Sequence, residues 1–207
     1  MVSAVILAAG KSERMGRPKL ALKLGERSLV GCVVESALLS RAGEVIVVLG
    51  KDLDELHSEV KTMASSSGKG VRVVFSENPE QGMSFSMRLG IAAVSEKADG
   101  VLFLLGDQPL VRPEHIDAII SRFEKGDVLI VHALYNGKRG NPVLFSASLL
   151  GELRAVRGDK GGRDVLAAHE SQAAGVELPV WVGQDVDCWD DYVQLLASCS
   201  YGSETNR

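Results

Sequence analysis

Short apolar runs alternate with amphipathic stretches along most of the chain. Residues 2–7, 44–49, 71–75, 100–105 and 128–134 are β-branched or otherwise apolar runs, short enough for buried strands. Residues 142–145 predict a further short strand. Between them, Val30, Val33, Val34, Ala37 and Leu38 recur at helical spacing. Residues 53–63 and 84–94 read as helices, and 65–70 as a turn-rich connection. A helix after Pro113 carries the clearest signals. Proline suits its first turn, Glu114 sits near its positive end, and Ile116, Ile119, Ile120 and Phe123 make one face before Gly126. Trp189, Tyr192, Val193 and Leu196 make another helical face. Continuous apolar strands separated by amphipathic helices predict an α/β fold with a mostly parallel sheet covered on both sides. Ligands of such sheets sit beyond the carboxyl ends of the strands. That rule gathers loops 9–19, 76–82 and 106–109 on one rim.

The 207 residues suit one domain, spanning 1–199, with a polar tail at 200–207. No internal repeat or linker divides it. The apolar runs are too short to span a bilayer, and no signal peptide is read at the N-terminus. A net charge of -4 argues against nucleic acid as a partner. Cys32, Cys188 and Cys199 are odd in number and contain no C-x-x-C pair, which suggests a reducing compartment, the cytoplasm, and no structural zinc. Small core hydrophobes are the simplest role for them.

Against this acidic background one segment reverses sign. Between Lys11 and Lys23 stand five cations (Lys11, Arg14, Arg17, Lys19, Lys23) and one acid, Glu13. The segment follows the first strand and is bracketed by Gly10 and Gly16. Glycines there permit close backbone approach and positive φ, while N–H groups, Arg14 and Lys19 can surround phosphate oxygens. A Walker loop is excluded, because five residues separate the glycines and Arg17 follows the second; G-x-G-x-x-G is absent. A solvated surface loop is the competing reading.

Two carboxylates are candidates for the opposite side of the cleft. Asp107, just past the fourth strand with Pro109 fixing the turn, can hold Mg²⁺ together with substrate phosphates, or can bond its own turn. Asp187, in Gln184-Asp185-Val186-Asp187, stands either as a helix N-cap or as a metal ligand. Ser84 and Ser86 are open between capping and ligand contact. Glu77-Asn78-Pro79 is explained by turn formation. His57, His115, His132 and His169 show no ligand spacing and read as surface or satisfied residues.

Leu7-Ala8-Ala9-Gly10-x3-Arg14-Met15-Gly16-x-Pro18-Lys19, Gly106-Asp107-Gln108-Pro109, Gly140-Asn141-Pro142-Val143 and Asp185-Val186-Asp187 together resemble the molybdenum cofactor nucleotidyltransferases, closest to the cytidylyltransferase branch. The resemblance covers nearly the whole chain. It implies a Rossmann-like three-layer fold with a mixed central sheet. It also implies transfer of a nucleoside monophosphate from an NTP to the terminal phosphate of the molybdenum pterin cofactor, releasing pyrophosphate. By the same resemblance Leu7, Ala8, Ala9, Gly10, Ser12, Arg14, Gly16, Lys19, Asn78 and Asp107 surround the nucleotide. Arg14, Lys19 and Asp107 carry the chemistry, and Asp107 with Asp187 holds Mg²⁺. Ser84, Gln108, Asn141 and Arg163 are expected toward the acceptor. Guanylyl-transferring relatives carry Gly where this chain has Ala9, so the expected nucleotide is CTP. An apo-molybdenum hydroxylase is the further partner implied. The chain departs from many relatives in continuing the last motif as Cys188-Trp189 rather than Thr-Pro. Residues 158–163 read either as an acceptor loop or as a flexible connection before a helix over 164–169. Rival readings are a GTP-dependent or sugar-phosphate enzyme, and a maturation protein that carries the pterin without turnover.

Overall fold

A computed structural model describes residues 1–10, 15, 18–51, 53–78, 81–158 and 161–202. Lys11, Ser12, Glu13, Arg14, Gly16 and Arg17 lie outside the described residues, as do Pro79, Asp159, Lys160 and residues 203–207.

The apolar runs become strands β1 (Val2–Ala8), β4 (Glu44–Gly50), β5 (Val71–Ser76), β6 (Gly100–Leu105) and β7 (Ile130–Tyr135). The helices are α1 (Leu29–Leu39), α2 (Asp54–Ser67), α3 (Met83–Ala93), α4 (Pro113–Phe123), α5 (Leu150–Ala155), α6 (Arg163–Ala168) and α7 (Trp189–Gly202). β8 (Lys138–Ser146) and β9 (Ala173–Glu177) complete a seven-stranded sheet in the order β5-β4-β1-β6-β8-β7-β9. Only β8 runs antiparallel to its neighbours, so the sheet is mostly parallel and mixed, as expected. β1 lies at its heart, paired with β4 and β6.

Alternate β1 residues serve opposite layers. Ala4, Ile6 and Ala8 join a core with α1, α2 and α4; Val5, and Ala9 just past the strand, join a second core with α3, α5 and α6. Burial on both faces is why these strands are apolar throughout rather than alternating. Gly90 lets α3 lie close on the sheet, since a Cβ there would stand 2.4 Å from Val5 Cγ1. Among the described residues no helix is long and apolar enough to cross a membrane.

Several expectations need correction. The short strand expected at 142–145 is nine residues long, because Asn136 and Gly137, at φ 50° and 74°, close a tight hairpin from β7. Strand β9 was not expected; its sequence, Ala-Ala-Gly-Val-Glu, carries little β propensity and its pairing with β7 is tertiary. The two-residue strands β2 (Lys23–Leu24) and β3 (Arg27–Ser28) likewise carry no periodic signal. Helix α2 runs past residue 63 to Ser67, where Gly68 at φ 70° ends it. Helix α7 reaches Gly202, into the expected polar tail.

Candidate active site

Four segments meet at the carboxyl ends of β1 and β6. After β1 the chain passes Ala9 and Gly10. Pro18 then starts a 3-10 turn over Lys19–Ala21, closed by the Ala21 N–H donating to the Pro18 carbonyl. After β6, the Gly106 N–H donates to the Leu7 carbonyl at 3.0 Å. A side chain at 106 would press on Ala8 and the Leu7 carbonyl, so glycine allows the Asp107 turn to hug β1. The start of α3 forms the opposite wall. Leu7, Ala8, Ala9, Gly10, Lys19, Leu20, Gly82, Met83, Ser86, Leu105 and Asp107 line a cavity of about 290 Å³. A Cβ on Gly10 would meet nothing within 4 Å, and its φ is not positive. Glycine there leaves room in the cavity; the expected left-handed backbone is not adopted.

Lys19 is the hub of the charged wall. Its Nζ donates to Asp107 Oδ2 at 2.8 Å and to Asp187 Oδ1 at 2.9 Å. Its side chain is 13% exposed, against 23% for Asp107 and 47% for Asp187. Burial alone would pull the Lys19 ammonium down. The charges and hydrogen bonds of Asp107 and Asp187 outweigh it and hold the ammonium above the ordinary lysine range. A neighbouring carboxyl, Asp185, is pushed up by burial first and then by repulsion from Asp107 and Asp187.

Asp187 does not sit as the expected N-cap. Helix α7 starts at Trp189, and the N–H groups of Asp187 and Cys188 both donate to Asp191 Oδ2 at 2.9 Å. Asp191 therefore takes the capping role, which frees Asp187 to reach Lys19. An acid in the first helical turn, three residues past Cys188, was the signal for it.

A second cavity, of about 100 Å³, shares Leu7, Met83 and Leu105 with the first. Asn141 and Arg163 line it among Met87, Phe103, Val143, Phe145 and Leu166. The structure thus brings Leu7, Ala8, Ala9, Gly10, Lys19, Asp107 and Asp187 together, with Asn141 and Arg163 next door. Ser84, Gln108 and Asn78 line neither cavity. Ser84 is buried at the start of α3 and does not cap it; Gly82 is the N-cap, and the cavity-lining serine is Ser86. Asn78 serves its turn, its carbonyl accepting from the Gln81 N–H. Ser12, Arg14 and Gly16 fall outside the described residues.

Three of the histidines are hydrogen-bonded, His115 Nδ1 accepting from the Arg112 N–H, His132 Nδ1 contacting the Ala133 carbonyl and His169 meeting Glu152, while His57 packs edge-on against Phe75. Sequence reading missed Tyr135. Its hydroxyl donates to the Asn141 carbonyl at 2.5 Å, and its ring lies where a Cβ on Gly140 or Gly183 would stand. Burial, then the Asp185 charge, pushes the Tyr135 hydroxyl up to about 12.

Two carboxylates already converge on one cation, the Lys19 ammonium, so the donor set suits a hard divalent ion. Magnesium takes one or two carboxylates plus substrate phosphates. Among the described residues no group of three or more His, Cys, Asp or Glu could hold a metal ion, so phosphate oxygens and water would supply the remaining ligands.

Known proteins resemble this chain over most of its length. The chain is 29% identical over 196 residues to the purine catabolism protein PucB of Bacillus subtilis, covering 91% of this chain and 92% of that one. It is 31% identical to Rv0371c of Mycobacterium tuberculosis, at TM-score 0.78, covering 95% and 97% of the two chains. A structure of Rv0371c in complex with manganese also matches, at TM-score 0.74. The Rv0371c homolog of Mycobacterium sp. strain JC1 is 30% identical at TM-score 0.81, with 97% of each chain covered. The family model of the MobA-like NTP transferase domain matches residues 4–173, which contain Lys19 and Asp107, while Asp187 follows the match. The chain belongs to the MobA-like NTP transferase family.

Proposed function

We propose that the chain transfers CMP from CTP to the terminal phosphate of the molybdenum pterin cofactor, with Mg²⁺, releasing pyrophosphate. The observation that carries this reading is the Lys19 ammonium held between Asp107 and Asp187 at the wall of the Leu7–Gly10 cavity. The adjoining cavity lined by Asn141 and Arg163 supports a separate acceptor site. Ala9, where guanylyl-transferring relatives carry glycine, favours cytosine. The manganese complex of Rv0371c supports a divalent cation. The product would pass to an apo-molybdenum hydroxylase in the cytoplasm.

The acceptor phosphate is already ionised near neutral pH, so no strong general base is required. One of its oxygens attacks the α-phosphorus of CTP as the bond to the β-phosphate oxygen breaks, and pyrophosphate leaves in line. Lys19, released from the carboxylates by the nucleotide, neutralises charge that builds on the phosphates. Mg²⁺ on Asp107 and Asp187 would supply further charge neutralisation and hold the triphosphate. Arg14 and Ser12 are assigned to the phosphates, and Gly16 to close backbone approach. Asn141 and Arg163 orient the acceptor. Pyrophosphate release from CTP, Mg²⁺ and the pterin tests the reading. Binding of all three without release would favour a carrier protein instead.

A further inference from the structure

Asp107 and Asp187 come from distant parts of the chain, so something must set their separation. Three hydrogen bonds join the segments that carry them. The Val186 N–H donates to the Asp107 carbonyl at 3.0 Å. Beside it, Gln108 Nε2 donates to Asp185 Oδ1 at 2.9 Å and approaches the Gly183 carbonyl at 3.4 Å. Gln108 is only 3% exposed and lines neither cavity, and its Nε2 is committed to this contact while its buried Oε1 has no hydrogen-bond partner among the described residues. Gly183 leaves little slack: a Cβ there would stand 2.5 Å from the Tyr135 ring. The residues flanking the two site carboxylates therefore bind each other, while the carboxylates themselves face Lys19.

We propose that Gln108 and Asp185 are positioning residues, a brace that presets the spacing of Asp107 and Asp187 for a divalent cation; this rests on the reading of those two aspartates as its ligands. Gln108 accordingly acts on the metal side of the site rather than on the acceptor. Asp185 contributes through its accepted hydrogen bond rather than through its charge. Partners that orient metal ligands in this way are typically worth 10–100-fold in metal affinity.

The test is Mn²⁺ titration of the full chain with a non-hydrolysable CTP analogue bound, followed by the electron paramagnetic resonance signal of free Mn²⁺. Gln108→Met removes the donor and keeps the bulk; Gln108→Glu is a second variant of the same shape should the first fold poorly. Asp185→Ala removes the acceptor, whereas Asp185→Asn keeps an acceptor and drops the charge. The brace predicts Mn²⁺ affinity about tenfold or more weaker in Gln108→Met and Asp185→Ala, and within about threefold of wild type in Asp185→Asn. Affinity for the analogue in EDTA should be unchanged in all of them, a readout that a general folding defect would move. Wild-type Mn²⁺ affinity in Gln108→Met or Gln108→Glu overturns the brace, as does Asp185→Asn losing as much as Asp185→Ala. Asp107→Asn separates the two ideas. If it leaves Mn²⁺ binding intact, the ligand assignment fails; if it abolishes binding while Gln108→Met does not weaken it, only the brace fails.

Discussion

Replacing Lys19 by methionine keeps the side-chain stem and removes the ammonium that Asp107 and Asp187 share. Their oxygens lie 2.8 and 2.9 Å from that one nitrogen, so without it two carboxylates face each other at close range. Breaking a buried ion pair by removing one partner costs about 3–5 kcal/mol, and an exposed pair about 0–1. With Lys19 at 13% exposure but Asp187 at 47%, the site lies between these limits. A loss of about 2 kcal/mol is expected, or roughly 4–8 °C in Tm for a chain of this size. The Lys19 contribution is complete below about pH 10.4, where unfolded lysine titrates, and is lost as pH rises through the higher folded value. Two further signs follow. Without nucleotide, Mg²⁺ should raise the Tm of Lys19→Met more than that of wild type, because the place between the carboxylates is vacated. Turnover should fall about 10²–10³-fold through lost charge neutralisation at the phosphates. Thermal melts in EDTA and in Mg²⁺, paired with pyrophosphate release, measure all three. Turnover within threefold of wild type, or a larger Mg²⁺ shift in wild type, would refute the reasoning.

Asp107→Ala should abolish most turnover while leaving far-ultraviolet circular dichroism unchanged, since the side chain is partly exposed and holds Lys19 rather than the core. Gly90→Val should lower stability by about 1–3 kcal/mol, read by urea unfolding, because its Cβ would stand 2.4 Å from a methyl of Val5. Ala9→Gly should move the ratio of CTP to GTP turnover toward GTP by several-fold, the scale of one methyl group, in a competition assay. The Tyr135 hydroxyl should ionise near pH 12, seen as a tyrosinate absorbance step missing from Tyr135→Phe. Unfolded tyrosine titrates near pH 10, so the folded state holds that proton more tightly. Its contribution is therefore complete below about pH 10 and is lost as pH rises toward 12.

The parallel core could be read from the chain because doubly buried strands must be largely apolar, and β1, β4 and β6 are; the edge strand β5, with Arg72 and Phe75 exposed, keeps enough valines to read as a strand. Helix α4 was equally plain: its proline, first-turn acid and isoleucine face each act locally. β9 was not, because its pairing with β7 depends on a neighbour far along the chain; the β2–β3 hairpin is local, but two residues a side are too few to show a period. The hairpin into β8 did carry a local signal, Asn136-Gly137, beyond the apolar run at 142–145. In the site, Lys19 and Asp107 stood out by charge and position after strands. The capping by Asp191 had a local signal in its spacing from Cys188, whereas the contacts of Tyr135 with Gly183 and of Gln108 with Asp185 needed three dimensions, since each joins elements whose proximity no spacing encodes. Asp187 shows the same limit: one residue of error in the helix start exchanges a cap for a site carboxylate.

The central claim is transfer of a nucleotide to a phosphate acceptor, and the most direct measurement is pyrophosphate release with purified chain, CTP, Mg²⁺ and molybdenum pterin cofactor. The account predicts about one pyrophosphate per cofactor converted, dependent on all three components, faster with CTP than with GTP, and lost in Lys19→Met. Bound nucleotide and cofactor with no pyrophosphate formed from any NTP would contradict it.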